Sequence, residues 1–188
     1  MSNLLIIDNK ITQFLSYIFP HNIFFDYFFS FFSLKGSSIL IWILVILIAV
    51  ILEERKKPGI SRTDKKFIIL FSLSFLFTAF LTDIVLKNIF QRHRPFTTIY
   101  NHFQLFSTFS CPLDFSFPSA HAATAFASAT VLTFFDKKRR WFYYLVAILI
   151  SYSRIYLGCH YFLDVVGGGI IGYLISRLIT RTKLFNNL

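Results

Sequence analysis

Seven side chains in this sequence recur at spacings that would let them grip a multiply charged anion. Lys87 is followed seven residues later by Arg94-Pro95, and Ser119 and His121 stand in Pro118-Ser119-Ala120-His121. Ser153-Arg154 is followed by His160 and, four residues further on, by Asp164. Arg94 and Arg154 offer planar forks suited to bidentate contacts with phosphate oxygens, and Lys87 offers a compact point charge. Ser119 can donate a hydroxyl hydrogen bond, and a helix beginning at Ala120 presents free N–H groups to an anion. Asp164 lies one helical turn beyond His160, so it can accept from one ring nitrogen and leave the other free. Gly167-Gly168-Gly169 has the look of a phosphate loop, but it falls inside an apolar run and reads as helix packing.

The elements that must carry these residues follow from composition. The chain has 188 residues, 55% hydrophobic and only 15% charged, with 26 Phe and a formal net charge of +10. Water-soluble domains average nearer 25% charged residues, so a soluble fold would strand many Phe in water. Disorder is excluded by the same hydrophobicity. A spanning helix needs about 20 mostly apolar residues. Runs of this kind cover about Ser37–Leu52, Phe67–Phe90, Ala120–Phe135, Trp141–Leu157 and Tyr161–Thr180. Gly168 and Gly172 stand at the small-xxx-small spacing that lets membrane helices approach closely. Residues 3–34 are apolar but interrupted by Asp8, Pro20, His21 and Asp26, and read as one or two helices, partly interfacial. No basic start and no small-residue cleavage site precede the apolar run, so a cleaved signal is not expected. The expected fold is all-α: a polytopic transmembrane helix bundle of five to six spans with interfacial N-terminal helices. It forms one domain over 1–188, with 1–34 as the N-terminal segment and 37–180 as the bundle.

Charge position then sets orientation. Arg55, Lys56, Lys57, Arg62, Lys65 and Lys66, then Lys137 to Arg140, then Arg177, Arg181 and Lys183 fall on one face if the spans alternate. These are thirteen of the 19 basic residues, and the positive-inside rule makes that face cytoplasmic. The nucleic-acid reading of the +10 charge is thereby removed. Lys87, Arg92, Arg94 and Arg154 sit at or near the opposite face, where ionisable groups in a bundle are functional candidates.

The three motifs resemble those of the type 2 phosphatidic acid phosphatases, a family that shares its catalytic core with vanadium haloperoxidases and glucose-6-phosphatase. Lys-x6-Arg-Pro is matched by Lys87 to Pro95, and Ser-Arg-x5-His-x3-Asp by Ser153 to Asp164. Pro-Ser-Gly-His appears as Pro118-Ser119-Ala120-His121, with alanine for glycine, which suits a backbone without positive φ. The resemblance implies that His160 is the nucleophile, forming a phospho-histidine oriented by Asp164. It implies that His121 is the general acid and then the base, with Lys87, Arg94, Ser119, Ala120 and Arg154 holding phosphate. Nothing supplies the several carboxylates of a Mg²⁺ site, so a metal-independent reaction with no cofactor is expected.

The expected activity is hydrolysis of a lipid phosphate monoester or diphosphate at the outer face of a bacterial inner membrane. Undecaprenyl diphosphate, phosphatidylglycerol phosphate, phosphatidic acid and lipid A phosphate are the substrates the resemblance suggests, the first slightly favoured. The partners are then the lipid and the bilayer, without nucleic acid. A phosphotransferase using the same residues and a non-catalytic scaffold or transporter are the rivals. Outside the motifs the residues read more plainly. Asp83 pairs with Lys87, while Arg92 and His93 make headgroup or helix-end contacts. His21 and Asp26 are interfacial. Cys159 is a packing thiol, and Cys111 and Cys159 build neither a disulfide framework nor a zinc site. Residues 96–117, rich in Phe, form a cap dipping into the outer leaflet.

Overall fold

The computed structural model describes residues 2–33, 37–52, 61–95 and 111–182, and among them every regular element is helical. The helices are α1 (Ser2–Ser16), α2 (Ile23–Ser33), α3 (Ser37–Leu52), α4 (Arg62–Phe90), α5 (Ala120–Phe135), α6 (Arg140–Tyr156) and α7 (Phe162–Arg181). Residues 96–110 of the expected cap lie outside the described residues, as do Lys35, Arg55, Lys56, Lys57 and Lys183.

Local chemistry sets the boundaries. The sequence reading starts the second span at Phe67, yet α4 begins at Arg62 because Ser61 and Asp64 form a reciprocal capping box. Near its far end α4 widens into a π-helical turn over Leu81–Leu86. It stops at Gln91, which takes a left-handed conformation with φ of 46°. At the N-terminus the interrupted apolar stretch forms two helices, with Asn22 capping α2 through the Phe25 N–H at 3.0 Å.

Helix α5 is the centre of the bundle. Its Ala122, Ala123, Ala125, Ala127 and Ala129 are fully buried, so neighbouring helices approach its backbone closely. The closest approach is that of α7: a Cβ on Gly168 would lie 2.4 Å from the Ser119 carbonyl oxygen. One on Gly172 would lie 1.9 Å from that of Ala123. The small-xxx-small pair therefore packs as its spacing predicts. Ile41, Trp42 and Val45 of α3 meet Ala125, Ala129 and Leu132 of α5 and Tyr143, Val146 and Ala147 of α6 in the main apolar core.

The outward faces are apolar as well. Leu40, Leu76, Phe80, Leu145, Leu174 and Leu178 are each at least half exposed. Helices α4 and α7 are long and apolar enough to cross a bilayer. Alternation of chain direction gathers the ends of α4 and α6 with the starts of α5 and α7. At the opposite end lie Arg62, Lys65, Lys137 to Arg140 and Arg181.

Helix α2 adds contacts that its sequence does not announce. Asp26 is buried and accepts from the Tyr156 hydroxyl at 2.6 Å, while His21 stacks on the Tyr156 ring. A carboxylate among Phe side chains is stable only with such a partner. Tyr156→Phe should lower stability by about 1–3 kcal/mol in thermal unfolding of the detergent-solubilised protein.

Candidate active site

The site is assembled where α4, α5, α6 and α7 converge. A backbone bond from the Ser119 N–H to the Asp164 carbonyl, 3.0 Å, docks the start of α5 onto the start of α7. Ser119 is the N-cap of α5, and its oxygen accepts from the Ala122 N–H, which leaves its hydroxyl hydrogen available to a ligand. Ala120 is the first residue of the helix, and Gln91 is the one non-glycine residue with positive φ among those described. Alanine is therefore unstrained where the family pattern has glycine.

His160 sits in the tight turn between α6 and α7, held by its own N–H on the Arg154 carbonyl at 3.1 Å. It is buried, and its Nε2 faces Arg94 Nη1 at 3.0 Å. A guanidinium only donates, so Nε2 accepts and the ring proton is on Nδ1. Nδ1 turns toward Asp164 Oδ2 at 3.6 Å, beyond hydrogen-bond distance. Burial first, then the charges of Arg94, Arg154 and Lys87, hold His160 well below its ordinary value and keep it neutral near pH 7. His121, one residue into α5, lies within electrostatic reach of Arg154, His160, Lys87 and Arg94.

The cations are engaged more fully than their spacing suggests. Arg94 Nε donates to the Asp114 carbonyl at 2.8 Å, and Nη2 to the Asp114 carboxylate and the Phe115 carbonyl. Nη1 donates to the Cys159 carbonyl at 2.8 Å and to His160. All five N–H groups therefore have partners, one of them the His160 ring. In this structure the Arg94 fork is therefore engaged by protein groups. Lys87 Nζ pairs with Asp83, as expected, and also with Asp114, each at 2.5 Å. Arg154, fully buried, donates from Nη1 to the carbonyl and hydroxyl of Ser33 at the end of α2.

Four further residues, Asp114, Arg92, Asp8 and Cys159, have parts here that their sequence context did not give. Asp114 bridges Lys87 and Arg94; burial pushes its carboxyl up, but the two cations outweigh this and hold it below the usual carboxylate range. Nothing in its sequence context marked it. Arg92 makes a helix-end contact of a specific kind: it pairs with Asp164 in the first turn of α7 at 2.7 Å and with Asp8 at 2.6 Å. Asp8 did carry a signal, as an acid interrupting an apolar run. Cys159 is not a packing thiol, since it forms a disulfide with Cys111 across 48 residues, fastening the segment that bears Asp114 beside His160. No spacing rule points to that pair.

A cluster of buried cations around a neutral histidine, at one end of an all-helical bundle, is an arrangement suited to an anion. The family follows from the chain itself: residues 67–188 match the PAP2 superfamily, and the chain belongs to it. It is 32% identical over 144 residues to an undecaprenyl-diphosphatase of Sulfolobus acidocaldarius, covering 76% of this chain and 64% of that protein. A lipid A 4'-phosphatase of Bacteroides thetaiotaomicron is 49% identical over 61 residues, 31% of this chain and 27% of that one. The chain thus spans less than two thirds of the length of these relatives. The crystal structure of Aquifex aeolicus LpxE superposes with a TM-score of 0.64 at 28% identity, covering 92% of this chain and 94% of that one.

Proposed function

We propose that this chain is an integral membrane lipid phosphatase that works through a covalent phosphate on His160. The observation that carries the reading is the buried, neutral His160, with Nε2 turned to Arg94 and Nδ1 turned to Asp164. In the first step Nε2 bonds to phosphorus while the bond to the lipid oxygen or leaving phosphate breaks. His121 gives that leaving oxygen a proton. As Nε2 attacks, its hydrogen bond from Arg94 Nη1 passes to an equatorial oxygen, where Lys87, Arg154, the Ser119 hydroxyl and the Ala120 N–H at the start of α5 share the charge. In the second step His121 accepts a proton from water, which attacks phosphorus and releases His160. Asp164 steadies the imidazolium character that His160 gains.

Several features support a lipid substrate in a bilayer. The outward faces of the bundle are apolar, and an apolar cavity of about 450 Å³ opens between α6 and α7 over Phe126. The basic turns lie at the end opposite the site, as the positive-inside rule requires if the site faces outward. A disulfide at the site end fits an oxidising compartment. Among lipids, undecaprenyl diphosphate is the first choice, in line with the name of the Sulfolobus relative.

The test is a panel of undecaprenyl diphosphate, phosphatidylglycerol phosphate, phosphatidic acid and lipid A in detergent, with released phosphate as readout. Release from at least one lipid, undiminished by EDTA, is expected. Silence on all four, with and without Mg²⁺, refutes the reading. Loss of activity in EDTA that Mg²⁺ restores refutes its metal independence.

A further inference from the structure

Helix α1 lies outside the region that matches the family, yet it reaches the site. We infer that Asp8 and Arg92 are positioning residues that fix the carboxylate of Asp164 behind His160; this rests on the function proposed above. Arg92 is a wedge between two buried carboxylates, donating from Nη2 to Asp8 Oδ2 at 2.6 Å and from Nη1 to Asp164 Oδ1 at 2.7 Å. Asp8 and Asp164 have fully buried side chains. The guanidinium lies 3.9 Å above the Tyr161 ring, which closes the wedge from below. The Tyr161 N–H holds the other oxygen, Oδ2, at 2.9 Å. With both oxygens held, the Asp164 carboxylate has one orientation, and that orientation points Oδ2 at His160 Nδ1.

Asp8 has a second task that must be separated from the first. Its Oδ1 accepts from the Leu163 N–H at 3.0 Å, and Thr12 Oγ1 accepts from the Phe162 N–H at 2.9 Å. Helix α1 thus caps the first turn of α7 from outside, because Tyr161 at the N-cap offers no side-chain bond of its own. Thr12 shares this capping task but makes no hydrogen bond to Arg92 among the described residues. It is the control for a merely structural role.

A fork between two carboxylates needs the planar guanidinium, which lysine lacks. Arg92→Gln and Asp8→Asn should each lower kcat about 10–100-fold, the scale of small misplacements of a catalytic group, with KM changing less than about threefold. Arg92→Lys should recover only part of that loss. The double variant should be no worse than the poorer single, since both act through one carboxylate. Thr12→Ala should lower the unfolding temperature as Asp8→Asn does while keeping wild-type kcat. Wild-type kcat in Arg92→Gln, or an equal loss of kcat in Thr12→Ala, overturns the assignment. A second readout does not depend on turnover. In ¹⁵N-histidine-labelled protein, Arg92→Gln should move the His160 Nδ1 resonance and Thr12→Ala should not. An unmoved resonance overturns the assignment even if the wild-type protein releases no phosphate, an outcome that would separately refute the proposed function.

Discussion

Replacing His160 by alanine is expected to lower phosphate release by about four orders of magnitude or more, the scale seen when a covalent nucleophile is removed. Burial and the neighbouring cations keep the His160 ring neutral, and its Nε2 is turned toward Arg94 Nη1 at 3.0 Å. Neutrality matters because a protonated ring has no lone pair on Nε2 to give to phosphorus. Brief reaction with ³²P-labelled lipid followed by denaturation should leave an acid-labile phosphate on wild-type protein and none on His160→Ala. Substantial turnover by the alanine variant would rule His160 out as nucleophile. Asp164→Asn should lose less, because the ring keeps its orientation through Arg94 and the turn after α6.

The second large effect concerns one added methyl group. A Cβ at Gly172 would stand 1.9 Å from the Ala123 carbonyl oxygen and 2.7 Å from its carbon, both of them backbone. Neither atom belongs to a side chain that could rotate away, so α7 must shift from α5. Gly172→Ala should therefore destabilise by about 3 kcal/mol, the upper range for overpacking, and lower activity beyond what the loss of folded protein explains. Activity suffers because the same two helices carry Ser119 and His121 on one side and Asp164 on the other. Gly169→Ala should be far milder, since its Cβ would meet only the Phe126 ring at 3.1 Å. Thermal unfolding of the two variants side by side decides the point; equal losses would mean that the α5–α7 contact is not the tight one.

Much of the fold was legible because bilayer dimensions and turn chemistry leave few choices. The run Ser37–Leu52 and the run Ala120–Phe135 coincide with α3 and α5, and α6 and α7 differ from expectation by a residue at each end. Such elements are bounded by local signals: charge clusters, Pro-Gly, and the switch from apolar to polar. The motif residues around His160 were legible for the same reason, since one helical turn separates His160 from Asp164. Asp8, Asp114 and the Cys111–Cys159 pair were not. Their partners lie 84 and 27 positions away for Asp8–Arg92 and Lys87–Asp114, and 48 for the cysteines. Contacts of that span are decided by how helices stack, which no local periodicity encodes. The same limit explains Arg94: its spacing announces a cation but not the carbonyls that surround it.

Helices α5 and α6 are joined at one end by the short turn at Asp136–Arg139 and at the other by the disulfide. Together with the segment leading into α5 they form a closed covalent ring. A ring cannot be unzipped from either end, so the ends of α5 and α6 next to His160 are held together covalently. Helix α4 lies outside that ring. The disulfide thereby turns Asp114, Ser119, His121 and Arg154 into members of one closed loop, a covalent frame that α4 and α7 pack against.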